Sequence, residues 1–173
     1  MNYIKINKCD VANGQGVRVV LWLSGCSLHC HECHNPETWD KNYGKIFDDN
    51  AKKELFDALS KDYIKGITFT GGHPLEDYNV TDVYNLIKEI KIKFPDKDIW
   101  LYTGLIFENI MSNSACQNDI LRKNIIKLCD IIIDGPFMSS LKDITLKWRG
   151  SSNQRVIDVK KTLSEGQIIL FSI

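Results

Sequence analysis

Four short runs rich in β-branched and aliphatic residues set the limits on this chain: Val17–Ser24, Ile67–Thr70, Asp98–Tyr102 and Asp130–Asp134. Stretches of helical periodicity separate them. Asp48–Leu59 reads as a helix capped by its leading Asp, with Leu55, Phe56 and Leu59 on one face. Val80, Val83, Leu86, Ile87, Ile90 and Phe94 recur at helical spacing until Pro95 stops them. A third helical stretch runs to about Leu128 and breaks near Asn113–Ser114. Strand, helix, strand, helix predicts an α/β fold of parallel strands with helical crossovers. Gln154–Val159 and Gln167–Phe171 are weaker strand candidates. No repeat or linker divides the chain, so one domain over residues 1–173 is expected.

In parallel α/β folds, ligands bind where the strands end at their carboxyl termini. Here the strand ends carry the chemistry-bearing residues. The first run leads through Gly25 into Cys26-Ser-Leu-His-Cys30-His-Glu-Cys33, and the second into Gly71-Gly72-His73-Pro74. The third ends at Thr103-Gly104 and the fourth at Asp134-Gly135. Three of the six cysteines and three of the four histidines fall within nine residues, Cys26 to His34. That density points to a metal site.

A structural zinc site closes with four ligands, usually from two knuckles. There is no second CxxC, but His29, His31 or His34 can supply a fourth donor. A cubane iron–sulfur cluster takes a thiolate on each iron, so three cysteines leave one iron open. Spacing alone leaves both readings standing. Cys9, Cys116 and Cys129 read as small apolar residues.

Charge narrows the class. Lys+Arg and Asp+Glu are both 22, a formal net charge of zero, which argues against nucleic acid or an anionic membrane as partner. The apolar runs are too short to span a bilayer, and Met1–Cys9 has no signal-peptide core. A soluble cytoplasmic protein is expected, in which clustered cysteines are ligands and not disulfides.

CxxxCxxC after a first strand, with Gly-Gly ending the second, resembles the radical S-adenosylmethionine enzymes. Further segments are similar to the branch that activates anaerobic ribonucleoside-triphosphate reductases: Asn13-Gly-Gln-Gly16, Asn35-x-x-Thr38-Trp39, Thr70-Gly-Gly-x-Pro74-Leu75, Lys97–Gly104, Ile133-Asp-Gly135 and Trp148-Arg-Gly-Ser-Ser-Asn-Gln154. The resemblance implies an incomplete (β/α) barrel. It implies that Cys26, Cys30 and Cys33 hold a [4Fe-4S] cluster whose fourth iron chelates S-adenosylmethionine. One electron then cleaves the sulfonium, and the 5′-deoxyadenosyl radical takes hydrogen from a glycine of the large reductase subunit. It further implies a low-potential electron donor such as flavodoxin. Family precedent places Glu32, Cys33, His34 and Gly72 along the cofactor, and Gly71 and Gly72 leave their backbone free to meet it where a Cβ would obstruct it. His73, Tyr102, Thr103 and Asp134 are further candidates.

Three positions depart from the family pattern. His73 stands where Glu or Asp usually accepts from the cofactor ammonium, so it must be neutral to do that work. Glu32 replaces a residue that is often aromatic, and Gln15 a proline. The segment from Phe137 to Arg149 mixes apolar and basic residues and is the candidate partner contact. Two other readings are an activase for a different glycyl-radical enzyme or small-molecule substrate, and a non-enzymatic zinc adaptor.

Overall fold

The computed structural model describes residues 1–172. Its strands and helices follow in order: β1 Asn2–Asp10, β2 Arg18–Leu23, β3 Lys45–Ile46, α1 Asp49–Leu59, β4 Gly66–Gly71, α2 Val80–Lys93, β5 Asp98–Tyr102, α3 Phe107–Ser112, α4 Gln117–Leu128, β6 Ile131–Asp134, β7 Arg155–Asp158 and α5 Val159–Glu165. They form one open seven-stranded sheet in the order β3-β1-β2-β4-β5-β6-β7.

The expected parallel set is its centre: β2, β4, β5 and β6 are parallel neighbours. The flanks differ from the all-parallel expectation. β1, in a segment that carried no strand signal, pairs antiparallel with β2, and β3 pairs antiparallel with β1. Residues 11–17 join β1 to β2, too few for a crossover, so the chain can only double back. β7 realises the Gln154–Val159 candidate but runs antiparallel to β6. Gln167–Phe171 forms no strand. Only an isolated bridge, Ile157 with Leu170, and bonds such as Phe171 N–H to Val156 O lay it along β7.

Alternation along each central strand gives the sheet two unlike faces. Val19, Leu21, Leu23, Ile67, Phe69, Ile99, Leu101 and Ile132 pack against apolar residues of all five helices, including Leu55, Val83, Ile87, Ile110, Ile125 and Val159. The other face holds Trp100, Ile131, Ile133 and Val156, closed by Tyr102, Trp148 and Phe171. Helices therefore cover one face, while the loops after β2 and β6 rise over the edge of the other. Each fully buried aliphatic on the helical side contributes about 1.5–3 kcal/mol, enough to hold the strand ends in place. No helix among the described residues is long and apolar enough to cross a membrane.

Arg18, which interrupts the apolar β2 run, is completely buried. It ion-pairs with Asp98 at 2.6 Å and donates to Thr68 Oγ1 and Ile67 O, both at 2.8 Å, and to Gln15 O at 3.1 Å. Thr68 Oγ–H in turn donates to Asn13 O at 2.8 Å. This network fixes the Asn13–Gly16 turn against the sheet. A Cβ on Gly14 would stand 2.7 Å from the Arg18 side chain, which explains the glycine there.

Candidate functional site

Because β2 and β4 are parallel and Leu23 is in register with Gly71, the cysteine loop and the Gly-Gly turn leave the sheet side by side. Their backbones continue to pair: Gly72 N–H donates to Leu23 O at 2.8 Å and His73 N–H to Gly25 O at 2.7 Å. A Cβ on Gly71 would come within 2.6 Å of Leu23 backbone, and one on Gly72 within 2.4 Å of Gly25 O. The crowding that demands these glycines is thus internal.

A cavity of about 410 Å³ opens at these strand ends. Cys26, Cys30, Cys33 and His34 line it from the cysteine loop, Gly71, Gly72 and His73 from the β4 end, and Tyr102 and Thr103 from the β5 end. Gly135, Phe137 and the Trp148–Gly150 segment form the far wall, with Gln154. Ala12, Asn13 and Trp22 line it too, so the turn fixed by Arg18 belongs to the site.

Two candidates fall outside. Glu32 is exposed, on a left-handed backbone (φ 57°), and is not part of the cavity lining. Asp134 is 1% exposed and its carboxylate is already engaged. It accepts from the Phe107 N–H that opens α3, at 2.9 Å, and from Arg155 Nε at 3.0 Å. Arg155 also grips Glu108, and these bonds raise the guanidinium above its ordinary range.

The cysteine loop is closed on itself by Gly25 N–H to Thr38 O and Cys26 N–H to Trp39 O. Burial pushes the Cys26 thiol up, while the Leu28 and His29 N–H groups directed at it pull the other way. Asn35 N–H donates to Cys33 Sγ at 3.5 Å. Such donors stabilise sulfur in its thiolate form, the form that binds metal. Among the described residues no three His, Cys, Asp or Glu side chains could hold one metal ion. A cubane takes each thiolate at a different corner, and three thiols spread around one cavity fit that demand.

The histidines of the loop have other contacts. His29 stacks on Trp39 at 4.7 Å, His34 packs on Phe137 at 5.0 Å, and His31 Nδ1 lies 3.1 Å from Ser139 Oγ. The last two tie the loop to the far wall. That wall is organised by its own polar residues. Gln154 accepts from Gly150 N–H at 2.8 Å and donates to Gly135 O at 3.1 Å, and Arg149 donates to Gln154 O at 2.8 Å. Two lining residues, Trp22 and Arg149, have Nε1 and Nε buried without a hydrogen-bond partner.

His73 is 4% exposed, and both ring nitrogens are engaged. Nδ1 faces Glu76 Oε1 at 3.3 Å and Nε2 faces Thr103 Oγ1 at 2.8 Å. A carboxylate can only accept, so Nδ1 carries a hydrogen, and in the neutral ring Nε2 accepts from Thr103 Oγ–H. Thr103 Oγ1 accepts from Leu105 N–H at 3.1 Å, completing the chain. Burial alone pushes Glu76 up, but hydrogen bonds from His73 and Ser27 outweigh it and bring the carboxyl down to about 2. Glu76 escaped notice in the sequence. The His73-x-x-Glu76 spacing on a turn entering a helix was its only signal.

Comparison with known proteins places these residues in context. Residues 12–157 match a protein-family profile described as a 4Fe-4S single cluster domain. The chain is 45% identical over 156 residues to the anaerobic ribonucleoside-triphosphate reductase-activating protein of Enterobacteria phage T4, covering 90% of this chain and 93% of that protein. It is 37% identical over 158 residues to the protein of the same name from Escherichia coli K12, covering 90% and 97%. The Vibrio cholerae protein of that name is 33% identical over 89% of this chain and 96% of its own length.

Proposed function

This chain belongs to the anaerobic ribonucleoside-triphosphate reductase-activating proteins, and from that membership we propose that it installs the glycyl radical of such a reductase by radical S-adenosylmethionine chemistry. The observation that carries the proposal is the set of three thiols around one strand-end cavity, with no fourth cysteine among its lining residues. When bound, a [4Fe-4S] cluster would supply the electron for reductive cleavage of S-adenosylmethionine, the chemistry from which the reductase's glycyl radical would be generated. Cys26, Cys30 and Cys33 would hold the cluster, with backbone N–H groups of Leu28 and His29 directed at the Cys26 sulfur and that of Asn35 at the Cys33 sulfur.

The remaining residues bind and orient the cofactor. His34, the Gly71–Gly72 backbone and Thr103 lie on the cavity wall, as do the side chains of Trp22 and Arg149. His73 acts as a fixed wall. Its nitrogens are spent on Glu76 and Thr103, so backbone carbonyls take the ammonium contact first assigned to it. Asp134 acts from behind by anchoring α3. The open, partly parallel sheet with helices on one face supports the incomplete-barrel reading, and the free thiols suit a reducing cytoplasm.

The far wall continues outward into the segment from Phe137 to Arg149, where Met138, Leu141 and Ile144 are exposed, Ile144 at 91%. To these exposed apolar residues, with Leu28 of the cysteine loop, we assign the large reductase subunit. A low-potential donor such as flavodoxin supplies the electron. The test is anaerobic: reduced protein, S-adenosylmethionine and the reductase are mixed, then read for a glycyl-radical EPR doublet and 5′-deoxyadenosine. Both products support the proposal, deoxyadenosine alone rejects the partner, and neither rejects the chemistry.

A further inference from the structure

Beside the cysteine loop, the Glu76 carboxylate is held on several sides and is only 11% exposed. Oε1 accepts from Ser27 N–H at 2.8 Å and from Ser27 Oγ–H at 2.7 Å. Ser27 directly follows Cys26, so this oxygen both ties down the loop and sets a negative charge one residue from a thiolate. The turn into α2 fastens the same stretch twice more. Asn79 Nδ2 donates to Ser24 O at 2.9 Å, and the Tyr78 ring lies so close that a Cβ on Gly25 would come within 2.3 Å of it.

With His73 in its neutral form, no cation among the described residues pairs with this charge. Among the described residues no Lys or Arg pairs with Glu76, whose neighbours are the Ser27 donors and His73. Adding an electron beside a fixed negative charge is disfavoured, more strongly where burial lowers the effective dielectric. Cluster potentials respond to nearby charge and to hydrogen bonds around the sulfurs.

We propose that Glu76 is a positioning and redox-tuning residue, which fixes the Cys26 end of the loop through Ser27 and holds the cluster at a lower potential than the loop alone would give it. The proposal rests on the cluster assignment above and adds a residue that acts through Ser27, without touching the cluster.

EPR-monitored potentiometry of the wild type, Glu76→Gln and Glu76→Asp tests the charge. Gln keeps an oxygen for Ser27 but removes the charge, so its midpoint is expected to move positive. At a given poise the reduced-to-oxidised ratio should rise about tenfold, equivalent to about 59 mV for a one-electron couple. Asp keeps the charge and is expected to stay near the wild-type value. A Gln variant that binds its cluster at the wild-type potential overturns the tuning role. If Gln fails to retain a cluster, Asp carries the test, and a positive shift there overturns it equally. Hydrogen exchange on the cluster-free full chain tests the clamp: Glu76→Ala should speed exchange of the Ser27 amide at least tenfold, and unchanged exchange overturns the positioning role. A wild-type protein that binds no iron–sulfur cluster contradicts the proposed function instead, and the exchange result still decides the clamp.

Discussion

Asp134 shows how position and chemistry separate at the level of the single residue. It sits at a strand end, where the fold gathers functional groups, yet its oxygens hold the α3 N-terminus and Arg155. Breaking a buried ion pair from one side costs about 3–5 kcal/mol, a range lowered somewhat here because Arg155 is 30% exposed. Asp134→Asn is therefore expected to lose about 2–3 kcal/mol in urea unfolding while S-adenosylmethionine affinity stays unchanged. A large affinity loss with unaltered stability would return Asp134 to the cofactor site. The cysteines behave oppositely: Cys30→Ala should leave the far-UV spectrum intact and abolish cluster binding. Sequence order revealed the three thiols and their shared strand end. It could not show that Glu32 faces outward or that His73 is satisfied internally, because both depend on neighbours distant in the chain. Arg18 was visible as a charge inside an apolar strand, but its partner Asp98 was not.

At the level of elements, two junctions carry the site. The first is the β2–β4 contact, where Gly72 meets Gly25 O with no room for a methyl group. Gly72→Ala must part the strand ends, and the expected result is a loss of about 1–3 kcal/mol together with poor cluster retention. The second is Asp130, which accepts from Ile99 N–H and Lys91 Nζ, each at 2.8 Å, and pairs with Lys160, joining β5, α2 and α5. Burial raises its carboxyl, but the bonds from Lys160, Lys91 and Ile99 prevail and lower it below the usual range. A carboxyl lowered by folding stabilises the protein above its unfolded pKa, and that contribution fades as pH falls through the folded value. The stability gap between wild type and Asp130→Asn should therefore be largest near pH 7 and shrink below about pH 4, the ordinary aspartate range. Urea titrations at both pH values measure it, and a gap independent of pH would contradict the pairing. The helices and central strands were legible because their apolar spacing is local. β1 was not, since Met1–Cys9 mixes polar and apolar residues and becomes a strand only by pairing with β2.

Across the whole molecule, helices fill one face of the sheet, and the loops after β2 and β6 meet over the edge of the other. The segment after β6 also carries exposed apolar residues, Met138, Leu141 and Ile144. Ile144→Asp is expected to leave stability within about 0.5 kcal/mol and to weaken reductase binding at least tenfold, as measured by calorimetry with the large subunit. Unchanged affinity would move the docking surface elsewhere. The central claim is that three thiolates bind a cluster whose fourth iron stays free for S-adenosylmethionine. Mössbauer spectroscopy of the ⁵⁷Fe-reconstituted protein, with and without S-adenosylmethionine, tests it most directly. One iron site of a [4Fe-4S] cluster is expected to change its isomer shift on cofactor addition while the others hold. Stoichiometric zinc, or a cluster whose irons all ignore the cofactor, would contradict it.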